Sequence, residues 1–219
     1  AMNAIEKARE LSEEKRVSYA IRASYLHYIQ YSIHENKEDL NHAMAICKEA
    51  LDYPGAQIVT GPKVIENQSN RIRLQTLRAQ YNLEHAIRFE GQLDETVREQ
   101  MIQNADEAVH DITQLYGSSE GRQVVMWQGM LDYAKGERFE GIRRMYDAFQ
   151  EMQAAEEYET FLPYILAKIF YGKPEIGMQR KFLEAALFPS QNLRTFKKPD
   201  AMLDFIEVLL KSYNIFDAQ

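Results

Sequence analysis

The chain has one cysteine, one tryptophan, six prolines and ten glycines in 219 residues, and each scarcity excludes something. A lone Cys47 allows no internal disulfide, so a disulfide-stapled scaffold is out. It sits in HAMAICKEAL, a helical pattern of small apolar residues in which a buried thiol serves as a small hydrophobe. Low glycine and proline exclude collagen-like and low-complexity chains, and 45% hydrophobic with 11% aromatic residues exclude wholesale disorder. No apolar run approaches the roughly 18 to 20 residues that a helix needs to cross a bilayer, so no membrane partner is expected. Lys and Arg total 26 against 33 for Asp and Glu; the net charge of −7 opposes attraction to phosphate backbones and disfavours nucleic acid as a direct partner. The opening AMNAIEKARELSEEKR has no apolar signal core, which with the lone cysteine points to a reducing, cytoplasmic setting. What these absences leave is a chain long enough to bury a core, in at most two domains.

Proline placement organises what is present. The six fall at 54, 62, 163, 174, 189 and 199, and the proline-free stretch between 62 and 163 reads as nearly all helix. Within it Gly91, Gly117-Ser118-Ser119 and Gly136 are spaced as short turns between helices. Apolar residues recur at helical spacing, as in Val97, Met101, Ala105, Ala108, Ile112 and Leu115. No alternating strand pattern occurs, and AQIVTGPKVI at 56–65 reads as an inter-helix loop because Gly61-Pro62 interrupts it. The expected helices are 3–16, 18–34, 37–52, 65–90, 93–116, 120–135, 138–156, 158–171, 175–188 and 199–213. Short connections force consecutive helices to run antiparallel, so the chain is a row of helical hairpins.

A row of hairpins invites a search for repeats. Gly129, Gly141 and Ala148 are spaced by 12 and 7 residues, and the same spacing recurs 38 residues on as Ala167, Gln179 and Ala186, and earlier as Tyr31, Ala43 and Ala50. Small residues at such points let the two helices of a hairpin, and the next hairpin, cross closely. On these residues, WQGMLDYAKGERFEGIRRMYDAF resembles the tetratricopeptide repeat, and Gly136 falls on that family's turn glycine. The hairpin at 65–116 departs from the pattern, because Glu84 and Thr96 occupy two of its small-residue positions. The stretch EGIRRMYDAFQEMQAAEEYETFLPYILAKIFYG further resembles longer repeats of sensor regions in bacterial transcription regulators and signalling ATPases. The resemblance implies an all-α, right-handed superhelical stack of about four tetratricopeptide-like antiparallel hairpins. An N-terminal helix at 1–17 would precede a repeat domain at 18–188, and the tail at 189–219 would cap the same domain with an amphipathic helix.

The same resemblance implies a concave groove lined by the first helix of each pair. Carried onto this sequence, its positions are Tyr25 and Tyr28; Arg78, Tyr81, His85 and Arg88; Met126, Met130 and Tyr133; and Tyr164, Lys168 and Tyr171. Tyrosine, arginine and methionine make strong or adaptable interface contacts, but the same aromatics also serve to pack hairpin on hairpin. Arg78, Arg88 and Lys168 make the groove positive within an acidic chain, which suits a protein or peptide partner with a carboxylate or acidic segment, although Glu35 lies near. The helix from 90 to 111 carries seven acids against the single base Arg98, as a solvated outer face would or, alternatively, a surface for a basic partner.

Other constellations point to no chemistry. Glu107-x-x-His110 and Asp39-x-x-His42 have the carboxylate–imidazole spacing of di-iron bundles, but Glu107 lies in an acidic surface-like segment and capping explains Asp39. His27 and His34 share a helical face as a pH-sensitive pair or as half-buried polar residues. No glycine-rich phosphate loop occurs, Trp127 reads as core, and no catalytic residue, metal or cofactor is assigned. The expected function is a regulatory protein- or peptide-binding module that is not an enzyme; its rival is the ligand-sensing domain of a transcription or signalling regulator. Phe205 or Phe216 would serve a homo-oligomeric contact at an exposed end of the stack.

Overall fold

A computed structural model describes residues 13–34, 36–57, 64–116 and 122–154, and among them every regular element is helical. In chain order these are α1 (Glu13–His34), α2 (Lys37–Ala50), a 3₁₀ turn (Pro54–Ala56), α3 (Val64–Arg88), α4 (Glu95–Tyr116), α5 (Arg122–Ala134) and α6 (Arg138–Ala154). The all-α expectation holds over these residues. The helices expected at 158–171, 175–188 and 199–213 lie outside the described residues, as do the loop at 58–63 and the repeat copy Ala167, Gln179 and Ala186.

One expected boundary is absent. The sequence reading breaks the chain near residue 17 between two helices, but α1 runs unbroken from Glu13 and Val17 is fully buried inside it. Arg16-Val17-Ser18 contains neither glycine nor proline, so nothing there stops a helix whose apolar side is packed. The chain divides into two compact units, Ala1–Glu151 and Met152–Gln219, a division that falls inside the span read as one repeat domain.

Local chemistry sets the helix ends. Asn36 caps α2, its side-chain oxygen accepting the Glu38 N–H at 3.1 Å, while Glu38 and Asp39 place negative charge in the first turn. Asp94 accepts the Thr96 N–H at 2.9 Å where α4 begins. The turns α3–α4 and α5–α6 pass through Gly91 and Gly136 at φ 81° and 99°, left-handed backbone that other residues adopt only under strain.

Helices α1 and α2, and α3 and α4, are antiparallel, as their partners show. Arg71 reaches Asp111 and Arg78 reaches Glu107, so partners descend α4 as they ascend α3. Ser24 meets Cys47 and His27 meets Asp39 across α1 and α2 in the same sense. Within the first compact unit helix α3 packs against α1, α2, the 3₁₀ turn, α4 and α5. Its residues 79–87 are buried without interruption, so this stretch has no solvent face even though it includes Gln80, Asn82, Glu84 and His85. Around it Tyr28, Tyr31, Leu40, Ala43, Ile46, Cys47, Leu74 and Tyr81 form one apolar cluster.

The α5–α6 hairpin crosses at glycines. A Cβ on Gly129 would stand 2.9 Å from the Gly141 carbonyl oxygen and from Met145 N; one on Gly141 would stand 2.6 Å from the Gly129 oxygen and from Tyr133 N. Real Cβ atoms do not approach backbone so closely, so the small-residue reading of this crossing is correct. Ala148 completes the triplet as a buried residue, and Tyr31, Ala43 and Ala50 are all buried where α1 meets α2.

Candidate functional site

The chemistry-bearing side chains gather between α1 and α3. Tyr28 and Tyr31 follow one another at helical spacing on α1, and Tyr81, Glu84, His85 and Arg88 do so on α3, so each set shares a face. The Tyr28 and Tyr81 rings stack at 4.8 Å. The Tyr28 hydroxyl donates to Glu84 Oε2 at 2.7 Å, within a carboxylate that is fully buried. Arg88 lies 3.8 Å from Glu84 Oε1, donates to the Tyr31 hydroxyl at 3.5 Å, and has its guanidinium over the Tyr31 and Phe89 rings. His85 packs against Tyr31 and Phe89, and Lys37 places its ammonium 5.1 Å above the Phe89 ring.

One layer deeper, Ser24 Oγ lies 3.1 Å from the Ala43 carbonyl oxygen, 3.0 Å from Cys47 Sγ and 3.3 Å from the Tyr81 hydroxyl. A hydroxyl has a single proton, so donating it to the carbonyl leaves Ser24 to accept from the thiol and the phenol. Both remain protonated: burial pushes Cys47 up to about 12, opposed weakly by Ser24 and Arg78, and burial with the neighbouring Cys47 raises Tyr81 well above its ordinary value. Cys47 is therefore a buried hydrogen-bonded thiol rather than a nucleophile.

His85 is the most perturbed base. Burial first, then the positive charge of Lys37 and Arg88, bring it down to about 4 against the opposing pull of Glu84. Its Nδ1 is buried with no hydrogen-bond partner among the described residues, and a neutral imidazole tolerates that far better than an imidazolium would.

This geometry alters the groove expected from the sequence. Tyr28, Tyr81 and His85 are buried at 3%, 0% and 3% exposure, and Met126, Met130 and Tyr133 at 1%, 0% and 2%, so six of the nine described groove residues pack helix on helix. The physical reason is that α3 is covered on every side over 79–87 instead of presenting one face to a cavity. Tyr25 is half-buried; Arg78 is ion-paired with Glu107 at 2.8 Å, and Arg88 is directed at Glu84 and Tyr31. Tyr164, Lys168 and Tyr171 lie outside the described residues. Trp127, at 5% exposure, is core as expected.

Nor is the acid-rich stretch of 90–111 simply a solvated face. Glu90 meets Arg98 and Arg138, Asp106 meets Lys135, Glu107 meets Arg78, and Asp111 meets Arg71 and Gln75. Hydrogen bonds from Arg78 and Gln103 hold Glu107 below the usual carboxylate range. These acids join α4 to its neighbours. His110 contacts Gln114 rather than a shared site with Glu107.

The other carboxylate–imidazole pair fares differently. Asn36, not Asp39, is the cap of α2, so capping does not account for Asp39. Asp39 and His42 are joined across the hairpin by His27 of α1, with ligand atoms of all three within 4.8 Å of one another. His27 thus pairs with His42, ring centroids 5.4 Å apart, while His34 is exposed at the end of α1. Sequence reasoning also missed Ser24 and Glu84 as partners. Glu84 leaves a signal, as a carboxylate at a position where the resemblance drawn from the sequence implies a small residue.

A scan against protein-family models finds no match, and searches of curated proteins and of solved structures find none either. The functional reading therefore rests on the residues of this chain.

Proposed function

We propose that this chain is a protein- or peptide-binding module built of tetratricopeptide-like hairpins in a right-handed stack, working by recognition without a chemical step. The supporting observation is the Gly129–Gly141 crossing, where neither glycine has room for a Cβ and the connecting turn uses Gly136 in left-handed conformation. That combination of close crossing and turn glycine is what the repeat pattern asks of a hairpin. With the buried tyrosines removed from the recognition surface, Tyr25 and Arg78 are the groove positions a partner still reaches. Arg78 is held by Glu107, whose side chain is half exposed, and a partner's carboxylate would take the place of Glu107.

Affinity capture from native extract tests this, with wild type compared against the Tyr25→Ala, Arg78→Gln double variant. The reading expects one or more proteins retained by wild type and lost by the variant, which keeps its helix content and melting temperature. If wild type and variant retain the same set, or neither retains anything specific, the reading fails.

The rival reading, a ligand-sensing domain of a regulator, draws support from a different observation. The Tyr28–Glu84 and Arg88–Tyr31 hydrogen bonds tie α1 to α3 in a buried site, and such layers favour discrete packings over gradual deformation. It expects a small anion or short peptide to raise the melting temperature of wild type and not of Glu84→Gln. A screen in which no such compound shifts wild type would remove it.

A further inference from the structure

We propose that His27, Asp39 and His42 form a binding site for a late first-row divalent cation of the zinc type, independent of the recognition surface at Tyr25 and Arg78. The three side chains come from the facing sides of α1 and α2, and their ligand atoms all lie within 4.8 Å of one another. His27 Nδ1 and Asp39 Oδ1 are 3.4 Å apart. Zinc takes imidazole nitrogen and carboxylate oxygen at about 2.0 to 2.2 Å, so the edge of its coordination tetrahedron is about 3.3 Å. The His27–Asp39 pair already has that separation. The remaining adjustment falls on His42, whose exposed ring is free to rotate at small cost.

Donor chemistry narrows the cation. Two imidazoles with one carboxylate favour zinc, copper or nickel, whereas magnesium and calcium prefer oxygen-only sites. Each ligand is placed by the fold for a reason other than chance proximity. Asp39 and His42 are one helical turn apart on α2, so both face α1, and His27 is the half-buried α1 residue opposite them. Lys37, two residues before Asp39, is directed at the Phe89 ring. Three protein ligands among the described residues match the count of catalytic zinc sites, which take water in the fourth position, rather than that of closed structural ones. A cation held there clips the first turn of α2 to the middle of α1.

The test uses tag-free protein stripped with chelator and titrated calorimetrically with zinc chloride. We expect one zinc per chain and a rise in melting temperature on binding. Affinity falls by about tenfold or more in both His42→Ala and Asp39→Asn, is unchanged in His110→Ala, and magnesium gives no binding. His42 is exposed, so His42→Ala keeps its helix content and reads the site directly. Cobalt substitution gives the visible band of a four-coordinate centre in wild type and not in His42→Ala. Absence of saturable uptake near one equivalent, or uptake that His42→Ala and Asp39→Asn leave intact, would overturn the proposal.

Discussion

Two helix pairs in this protein are drawn close by opposite means. Between α5 and α6 the approach is made by absence: Gly129 and Gly141 bring bare backbone together, while the Asp132–Arg144 and Arg122–Glu151 ion pairs join the same two helices. Between α1 and α3 it is made by presence: Tyr28 stacks on Tyr81 and bonds Glu84, and Arg88 sets its charge beside the same carboxylate. At the glycines the first contact depends on volume, so an atom added there harms it. The second depends on complementarity, so removing either member leaves the other buried without its match. The two contacts thus differ in their tolerance to change.

The sharpest way to break this contrast is Glu84→Ala. It removes the shared partner of Tyr28 and Arg88 in a buried site, and urea unfolding followed by circular dichroism should show a loss of about 3–5 kcal/mol. A loss below about 1 kcal/mol would mean that the polar layer contributes little. The pH dependence comes next. Unfolded, the His85 imidazole takes up its proton near 6.5, and folded only near 4, so between these values the unfolded chain binds more protons. The contribution is complete above pH 6.5 and is lost as pH falls towards 4. Wild type should lose about 3 kcal/mol more than His85→Gln over that interval, as read by urea unfolding at each pH. Equal losses would show that His85 is protonated in the folded state as easily as in water. Smallest is Gly141→Ala, one methyl group forced against the Gly129 oxygen and Tyr133 N, expected to cost about 1–3 kcal/mol in the same assay. A neutral effect would show that α5 and α6 separate freely, contrary to a crossing set by volume.

What the sequence disclosed follows the same division. The glycine crossing was legible because small residues at fixed spacing serve close helix approach and little else, and the turns at Gly91 and Gly136 because left-handed backbone favours glycine. Among the described residues helix ends fell within a few residues of expectation except near 17, where charged and β-branched residues do not interrupt a packed helix. The tyrosines were the harder case. An amphipathic ring suits a groove and a core equally, and the choice depends on how many neighbours surround its helix, a property of the assembled fold. Glu84 was visible as a departure from the repeat but not as a partner of Tyr28, which lies 56 residues earlier. Likewise Asp39 and His42 announce themselves by spacing, while His27 joins them only through the α1–α2 turn.

The enclosure of α3 bears on how the first compact unit holds together in time. A helix with one wet face can fray or form by itself, whereas the stretch 79–87 is sheltered only while the elements packed around α3 stay in place. Its amide hydrogens are thus released to solvent through cooperative opening of those neighbours rather than through local fraying. The stretch is in this sense a shared possession: α3 draws its protection from several hairpins at once, and loosening any of them is felt along its length.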